Sequence, residues 1–258
     1  MLERLFSMQG KICLVTGGSR GLGFSLAQGF LEAGAARVYI TARKPEPCEQ
    51  AARELSRYGE CIALPGDMSD MSSIQALVDT VAEQCDQLDV LVNNAGTAWG
   101  APFGQFPESG WDKVMDLNVR SPFFLTQALH ALLKQGKSPE NTASVVNIGS
   151  IAGIVGDPIG AYSYGPSKAA MHQMTRNLAH DLAEHHIRVN AIAPGRFFSK
   201  MTESVSQDQA TYEAECAEIP LHRWGTADDI AGLGIMLCSR AGAYVTGQIF
   251  VVDGGSSL

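Results

Sequence analysis

Lys11–Thr16 (KICLVT) is a short apolar run that passes straight into Thr16-Gly17-Gly18-Ser19-Arg20-Gly21-Leu22-Gly23 and then a helix-like segment to Ala33, which stops at Gly34. Strand, glycine turn and helix in that order constrain a fold more than any other feature of this chain. The helix N-terminus offers free N–H groups and the positive end of its dipole to a pyrophosphate, and the glycines let the backbone come close to it. The plain alternative is a tight turn with no ligand; the placement between strand and helix favours the phosphate site.

The same alternation continues. Arg37–Thr41, Glu60–Leu64, Asp89–Val92, Val145–Ile148, Ile187–Ile192 and Gln248–Val252 read as further strands. Between them lie helical stretches at Glu46–Arg57, at Asp70–Gln84 with Asp70 as its cap, from Trp111 to about Gln135, from Tyr164 to about His185, and from Thr226. Pro122 should bend or end the regular bonding of the third. Lys137–Thr142 is a polar turn, and the segment after Gly195, to about Glu218, reads as a mobile polar stretch. Right-handed crossovers between parallel strands require an α/β fold: a doubly wound, Rossmann-type parallel sheet of about seven strands with helices on both faces. At 258 residues the chain suits one such domain, residues 1–258, better than two small ones.

Loops after the strands face the ligand in such a sheet, and chemistry-bearing residues collect there. In Val145–Met174 (VVNIGSIAGIVGDPIGAYSYGPSKAAMHQM) the strand ends at Gly149 and Ser150 follows. Beyond a Gly-rich loop, Tyr164 and Lys168 open a helix four residues apart, so both project from one face. A free phenol is only about 0.1% ionised at pH 7, and a neighbouring ammonium favours its anion. The pair can therefore move a proton near neutrality while the Ser150 hydroxyl holds a carbonyl oxygen. Tyr162 competes for the role, but Pro166 stands four residues after it where Tyr164 has Lys168. Alone, Tyr-x-x-x-Lys more often means a half-buried ring beside a solvated lysine.

The second strand runs into Ala42-Arg43-Lys44, where a dinucleotide fold reads the adenosine ribose. No acid stands there to accept the 2′-hydroxyl of NAD, while Arg43 and Arg20 suit a 2′-phosphate. NADP(H) is the expected cofactor; the bland reading makes Arg43 and Lys44 surface charges ahead of a helix.

These motifs together resemble the short-chain dehydrogenase/reductase superfamily in its single-domain branch, over almost the whole chain from TGGSRGLG at 16–23 to VDGG at 252–255. Wordings such as GGSRGLG, NNAGTAWGA, YSYGPSKAA and APGRF look most like the rhamnolipid-associated β-ketoacyl reductases of that family. The resemblance implies Tyr164 as general acid/base, Ser150 polarising the carbonyl, Lys168 acting on the tyrosine and the nicotinamide ribose, and Asn118 supporting a water-mediated proton relay. It assigns the cofactor to Gly17, Ser19, Arg20, Gly21, Leu22, Gly23, Arg43, Asp67, Met68, Asn94, Ala95, Gly96, Tyr164, Lys168, Pro194, Gly195, Phe197 and Ser199. Asp67 would meet the adenine, and Asn93 would brace the central strands. Two departures stand out: Ser199 replaces a common threonine, keeping the hydroxyl that meets the carboxamide, and the Ser150-to-Tyr164 loop is slightly long.

The expected reaction is reduction of a ketone to a secondary alcohol, or its reverse, on an apolar or 3-oxoacyl-type substrate. A non-catalytic dinucleotide sensor or assembly protein is the alternative, and turnover of NADPH with ketones separates the two. Other chemistries fare worse. There is no HExxH, and His172, His180, His185 and His186 lack metal spacing and read as solvated near a helix end, so no metal is expected. No G-x-S-x-G elbow makes Ser150 a hydrolase nucleophile. A net charge of −8 argues against a nucleic-acid partner. No apolar run is long enough for a membrane span, and MLERLFSMQG lacks a signal-peptide core. Six scattered cysteines without a CxxC pair point to a reducing, cytoplasmic setting. Phe103, Phe106, Phe197, Phe198, Met201 and Trp224 would line an apolar pocket, pack a core or form an oligomer interface with equal ease. Phe123, Phe124, Met171 and Met174 exceed what one sheet face covers, and a homo-oligomer, by resemblance a tetramer, is expected.

Overall fold

The computed structural model describes residues 1–156, 160–198, 202 and 208–258. Seven parallel strands, β1 (Ile12–Val15), β2 (Arg37–Ile40), β3 (Cys61–Ala63), β4 (Val90–Asn93), β5 (Ala143–Ile148), β6 (Ile187–Pro194) and β7 (Ile249–Val252), form one sheet in the order β3-β2-β1-β4-β5-β6-β7. The chain crosses from one half of the sheet to the other between β3 and β4, so β1 and β4 flank the switch point where such sheets bind ligands.

Side chains alternate across the strands and sort onto two layers. Cys13, Val15, Val38, Ile40, Val90, Val92, Val146 and Ile148 pack with α2 (Gly21–Glu32), α3 (Pro45–Leu55) and α10 (Ala227–Cys238). Leu14, Tyr39, Leu91, Val145 and Val189 face α4 (Met71–Gln84), α6 (Ser121–Ala128), α7 (His130–Lys134) and α8 (Tyr164–Leu182). Asp70 caps α4 as expected, its carboxylate accepting from the Ser73 N–H at 2.9 Å. A short α1 (Leu2–Phe6) precedes the sheet.

Two sequence expectations change. The long helix from Trp111 is a chain of pieces: α5 (Glu108–Met115), a wide π-turn Asp116–Arg120, then α6 with Pro122 in its first turn, and α7. The proline's missing N–H and ring bulk thus coincide with the break in regular bonding, as its chemistry requires. The polar stretch to Glu218 contains a helix, α9 (Gln209–Glu218), anchored where Tyr212 packs on Trp224 at 5.2 Å and Glu215 pairs with Arg196 at 3.3 Å. Polarity alone cannot reveal a helix whose anchoring residues lie elsewhere in the chain. The polar turn at Lys137–Thr142 is present, and within it the Lys137 ammonium is buried against Asp89, whose other oxygen accepts the Ile12 N–H at 2.9 Å.

Among the described residues no helix is long and apolar enough to cross a membrane. All six cysteines are free thiols, with Cys13 and Cys238 buried as small hydrophobes.

Candidate active site

The C-terminal ends of β1 to β6 carry the residues singled out in sequence. At β1, Gly17 (φ +66°) and Gly21 (φ +55°) adopt backbone angles that side chains resist. A Cβ at Gly17 would lie 3.1 Å from the Ala95 backbone, and one at Gly23 would press on Gly17 O at 2.5 Å. The turn is thus folded tightly against Asn94-Ala95. Thr16, which sequence reasoning passed over, ties the two together: its hydroxyl accepts the N–H groups of Asn94 and Ala95, both at 3.0 Å, and its carbonyl accepts the Asn94 amide at 2.8 Å. The cofactor fits this cradle. Among the described residues no side chain caps the N–H groups of α2, and no acid stands in its first turn, so they are open to a pyrophosphate.

Gly18 N–H bonds Thr41 O at 3.0 Å, which brings the turn to the end of β2. Arg20 and Arg43 are both exposed there, with Ser19 and Leu22 half-buried beside them. At β3, Asp67 turns the chain by accepting the Ser69 N–H at 3.0 Å and its hydroxyl at 2.7 Å. The Met68 side chain packs into the core, so only its backbone is left to meet a base.

Beyond β4 the catalytic candidates converge. Asn118, fully buried in the π-turn, bonds the Thr97 backbone on both sides at 2.9 Å and donates to the Ser167 hydroxyl at 3.0 Å. It thereby fixes the Gly96–Thr97 loop to α8. A Cβ at Gly96 would sit 3.2 Å from Asn118 Oδ1 and 3.6 Å from Lys168 Nζ, so both side chains border this glycine. Lys168 is buried, donates to Ile148 O at 2.7 Å, and holds Nζ 5.6 Å from the Tyr164 ring centre. Burial brings its ammonium down from 10.5 to about 8, so it still carries its charge at neutral pH. Ser150 follows β5, and its turn (Ile151–Gly153) lies against the first turns of α8, close to the Lys168 and Ala169 backbone. Tyr162 points elsewhere, packing edge-on against Phe103 at 5.5 Å and Phe106 at 5.7 Å.

Asn93 bonds Asn147 at 2.8 Å and Thr126 at 3.2 Å, and Asn147 bonds Thr175 at 2.9 Å. This chain joins β4, β5, α6 and α8 beneath the site. Asn147 was legible in principle, since a polar residue inside an apolar strand needs a partner. Pro194 closes β6 and Gly195 N–H bonds Val252 O at 2.9 Å. Phe197 and Trp224 prove to be buried, whereas Phe103 and Phe198 are exposed and Phe106 half-buried. The mixed aromatic set thus divides between core and surface. Ser199 and Met201 lie outside the described residues. His180 is exposed as expected, but His172 is 4% exposed inside the molecule, and His185 packs edge-on against His130 with ring centres 4.7 Å apart. A position near a helix end did not decide solvation; the neighbouring elements did.

A doubly wound parallel sheet with an uncapped glycine-turn helix at its switch point, and a lysine–tyrosine pair across the crevice, defines a dinucleotide-dependent oxidoreductase. A family model described as Enoyl-(Acyl carrier protein) reductase matches residues 17–257, and the chain belongs to this short-chain dehydrogenase/reductase family. It is 52% identical over 253 residues to the rhamnolipids biosynthesis 3-oxoacyl-[acyl-carrier-protein] reductase of Pseudomonas aeruginosa, covering 98% of each chain. It is 37% identical to the 2-dehydro-3-deoxy-D-gluconate 5-dehydrogenase of Dickeya dadantii, over 99% of this chain and 98% of that protein. Among solved structures, the Pseudomonas aeruginosa RhlG/NADP active-site complex superposes with a TM-score of 0.96 at 51% identity, covering 99% of each chain.

Proposed function

We propose that residues 1–258 act as one domain that reduces a ketone to a secondary alcohol with NADPH, or runs the reverse reaction, and that its substrate is a 3-oxoacyl-type compound. The observation that carries the reading is the buried Lys168 ammonium beside the Tyr164 ring, next to the Ser150 turn. When bound, the cofactor supplies or accepts a hydride. Tyr164 gives the proton to the carbonyl oxygen, and Ser150 holds that oxygen by a hydrogen bond. Lys168, charged and held by Ile148 O, stabilises negative charge on the tyrosine oxygen. Asn118 holds the Gly96–Thr97 loop and α8 at a fixed spacing, which keeps the lysine aligned and supports proton passage from solvent. Arg20 and Arg43 give the positive field that a 2′-phosphate requires.

The two relatives named above are a 3-oxoacyl-carrier-protein reductase and a sugar-acid dehydrogenase. The Phe103–Phe106–Tyr162 cluster, two residues before Tyr164, favours the apolar acyl substrate. A sugar-acid carboxylate calls for a cation, and Arg196, just beyond β6, is already paired with Glu215 at 3.3 Å. The decisive experiment follows NADPH absorbance with 3-oxoacyl thioesters, 2-enoyl thioesters and 5-keto-gluconate. Turnover of the first alone is expected; turnover of the sugar acid alone would overturn the substrate reading, and no turnover of any ketone would leave the sensor alternative.

The working form is a homo-oligomer, a tetramer, in the cytoplasm. Trp111 in α5 and Phe123 in α6 stand 42% and 38% exposed, and Leu221 and Val251 66% and 43% exposed near β7. Met171 does not contribute, being buried within the chain itself. A monomeric mass by light scattering at micromolar concentration would refute the assembly.

A further inference from the structure

His172 lies one helical turn beyond Lys168 on α8, on the face that carries Tyr164 and Lys168. Its ring fills the gap between that helix and the loop bearing Ser150. A Cβ at Gly149 would collide with Nε2 and stand 2.8 Å from Cδ2, and one at Gly153 would stand 3.0 Å from Cε1. The two glycines that bracket Ser150 are therefore the surfaces on which the imidazole rests. On its far side the loop is pinned to β6, where Gly149 N–H bonds Ile192 O at 2.7 Å. At Gly153 the turn also rests on the α8 backbone, where a Cβ would stand 2.7 Å from Ala169 N and Lys168 C, so the imidazole spaces the Gly149 end of the loop, and with it Ser150, from α8.

Packing alone does not explain a histidine here. The Nε2 atom is buried without a hydrogen-bond partner among the described residues, a desolvation cost that an aliphatic side chain would avoid. Burial first, then the charges of Lys168 and Arg176, push the imidazole down to about 4, so it stays neutral. Residues Gly149 to Gly153 bring no ionisable group towards it. A flat, neutral ring can slide between a glycine backbone and a helix where a branched side chain cannot.

We infer that His172 is a positioning residue for the reaction, a wedge between α8 and the Gly149–Gly153 turn that fixes the spacing of Ser150 from Tyr164. This rests on Ser150, Tyr164 and Lys168 being the reacting set. Misplacing a reacting group by about 1 Å costs about a hundredfold in rate. His172→Ala should therefore lower kcat tenfold to a hundredfold while the NADPH dissociation constant, read by fluorescence, moves less than twofold. Gly149→Ala, which forces the same gap apart, should lower kcat similarly. The double variant puts the new methyl where the ring was, and should regain at least fivefold over Gly149→Ala. His172→Gln, polar but not flat, serves if the alanine variant does not fold, with the same loss expected. A kcat within twofold of wild type in His172→Ala, or a double variant no better than Gly149→Ala, overturns the inference. Wild type without ketone turnover would instead overturn the reading of the reaction.

Discussion

Replacing Lys168 with methionine should make the protein inactive and, at neutral pH, more stable. Burial moves the ammonium from 10.5 to about 8, a bias of about 3 kcal/mol towards the neutral amine. At pH 7 the folded chain holds a buried charge that the unfolded chain leaves in water, so folding is disfavoured by that amount. The penalty is complete below about pH 8, shrinks as pH rises, and vanishes above about 10.5, where the amine is neutral in both states. Methionine removes it but leaves Ile148 O without the donor now 2.7 Å away, a cost of about 1–3 kcal/mol. The net gain at neutral pH is about 1 kcal/mol, or roughly 2–4 °C in Tm for a chain of this size. At about pH 9.5 only about 1 kcal/mol of the penalty remains, so the variant should then melt at or below wild type. Thermal melts of cofactor-free protein at the two pH values, with NADPH oxidation measured alongside, make the test. A variant less stable than wild type by the same margin at both pH values would show that the buried charge carries no penalty, and the reasoning fails.

Tyr164→Phe should abolish turnover and leave NADPH binding nearly intact, as kcat and fluorescence titration would show; substantial residual activity would shift the role to Tyr162 or another group. Arg43→Ala removes a charge-assisted bond worth about 1.5–3 kcal/mol, so kcat/KM for NADPH should drop about ten- to a hundredfold with little change for NADH. Ala42→Asp should act more strongly by repelling the phosphate and accepting the NADH ribose; equal losses with both cofactors would refute that placement. Asp89→Ala strands the buried Lys137 ammonium and the Ile12 N–H, a loss of about 3–5 kcal/mol, and should lower Tm by about 10 °C.

Much of this architecture was legible because its signals are local. Each strand announces itself by a short apolar run, and Asp70 and Pro122 act on their own helices. The cofactor turn was legible for the same reason: glycines, strand and helix adjoin in sequence. Less legible were residues whose meaning depends on a distant partner. Thr16 is an ordinary threonine until Asn94 and Ala95 present their N–H groups to it. Asn118 reads as one polar residue in a helix, yet it joins Thr97 to Ser167. The aromatic residues divided between core and surface for reasons outside their own segments.

By itself the sequence determined the alternation, the doubly wound sheet that follows from it, and the pairing of Tyr164 with Lys168, because period and helical spacing are properties of consecutive residues. Tertiary structure alone decided the environment of each group. It buried His172 against Gly149 and Gly153 and sank Lys137 onto Asp89. It also gathered α9 onto Trp224 and lowered the Lys168 ammonium to about 8. Desolvation and contact depend on what the rest of the chain places around a side chain, and that is fixed only when segments far apart in sequence close on one another.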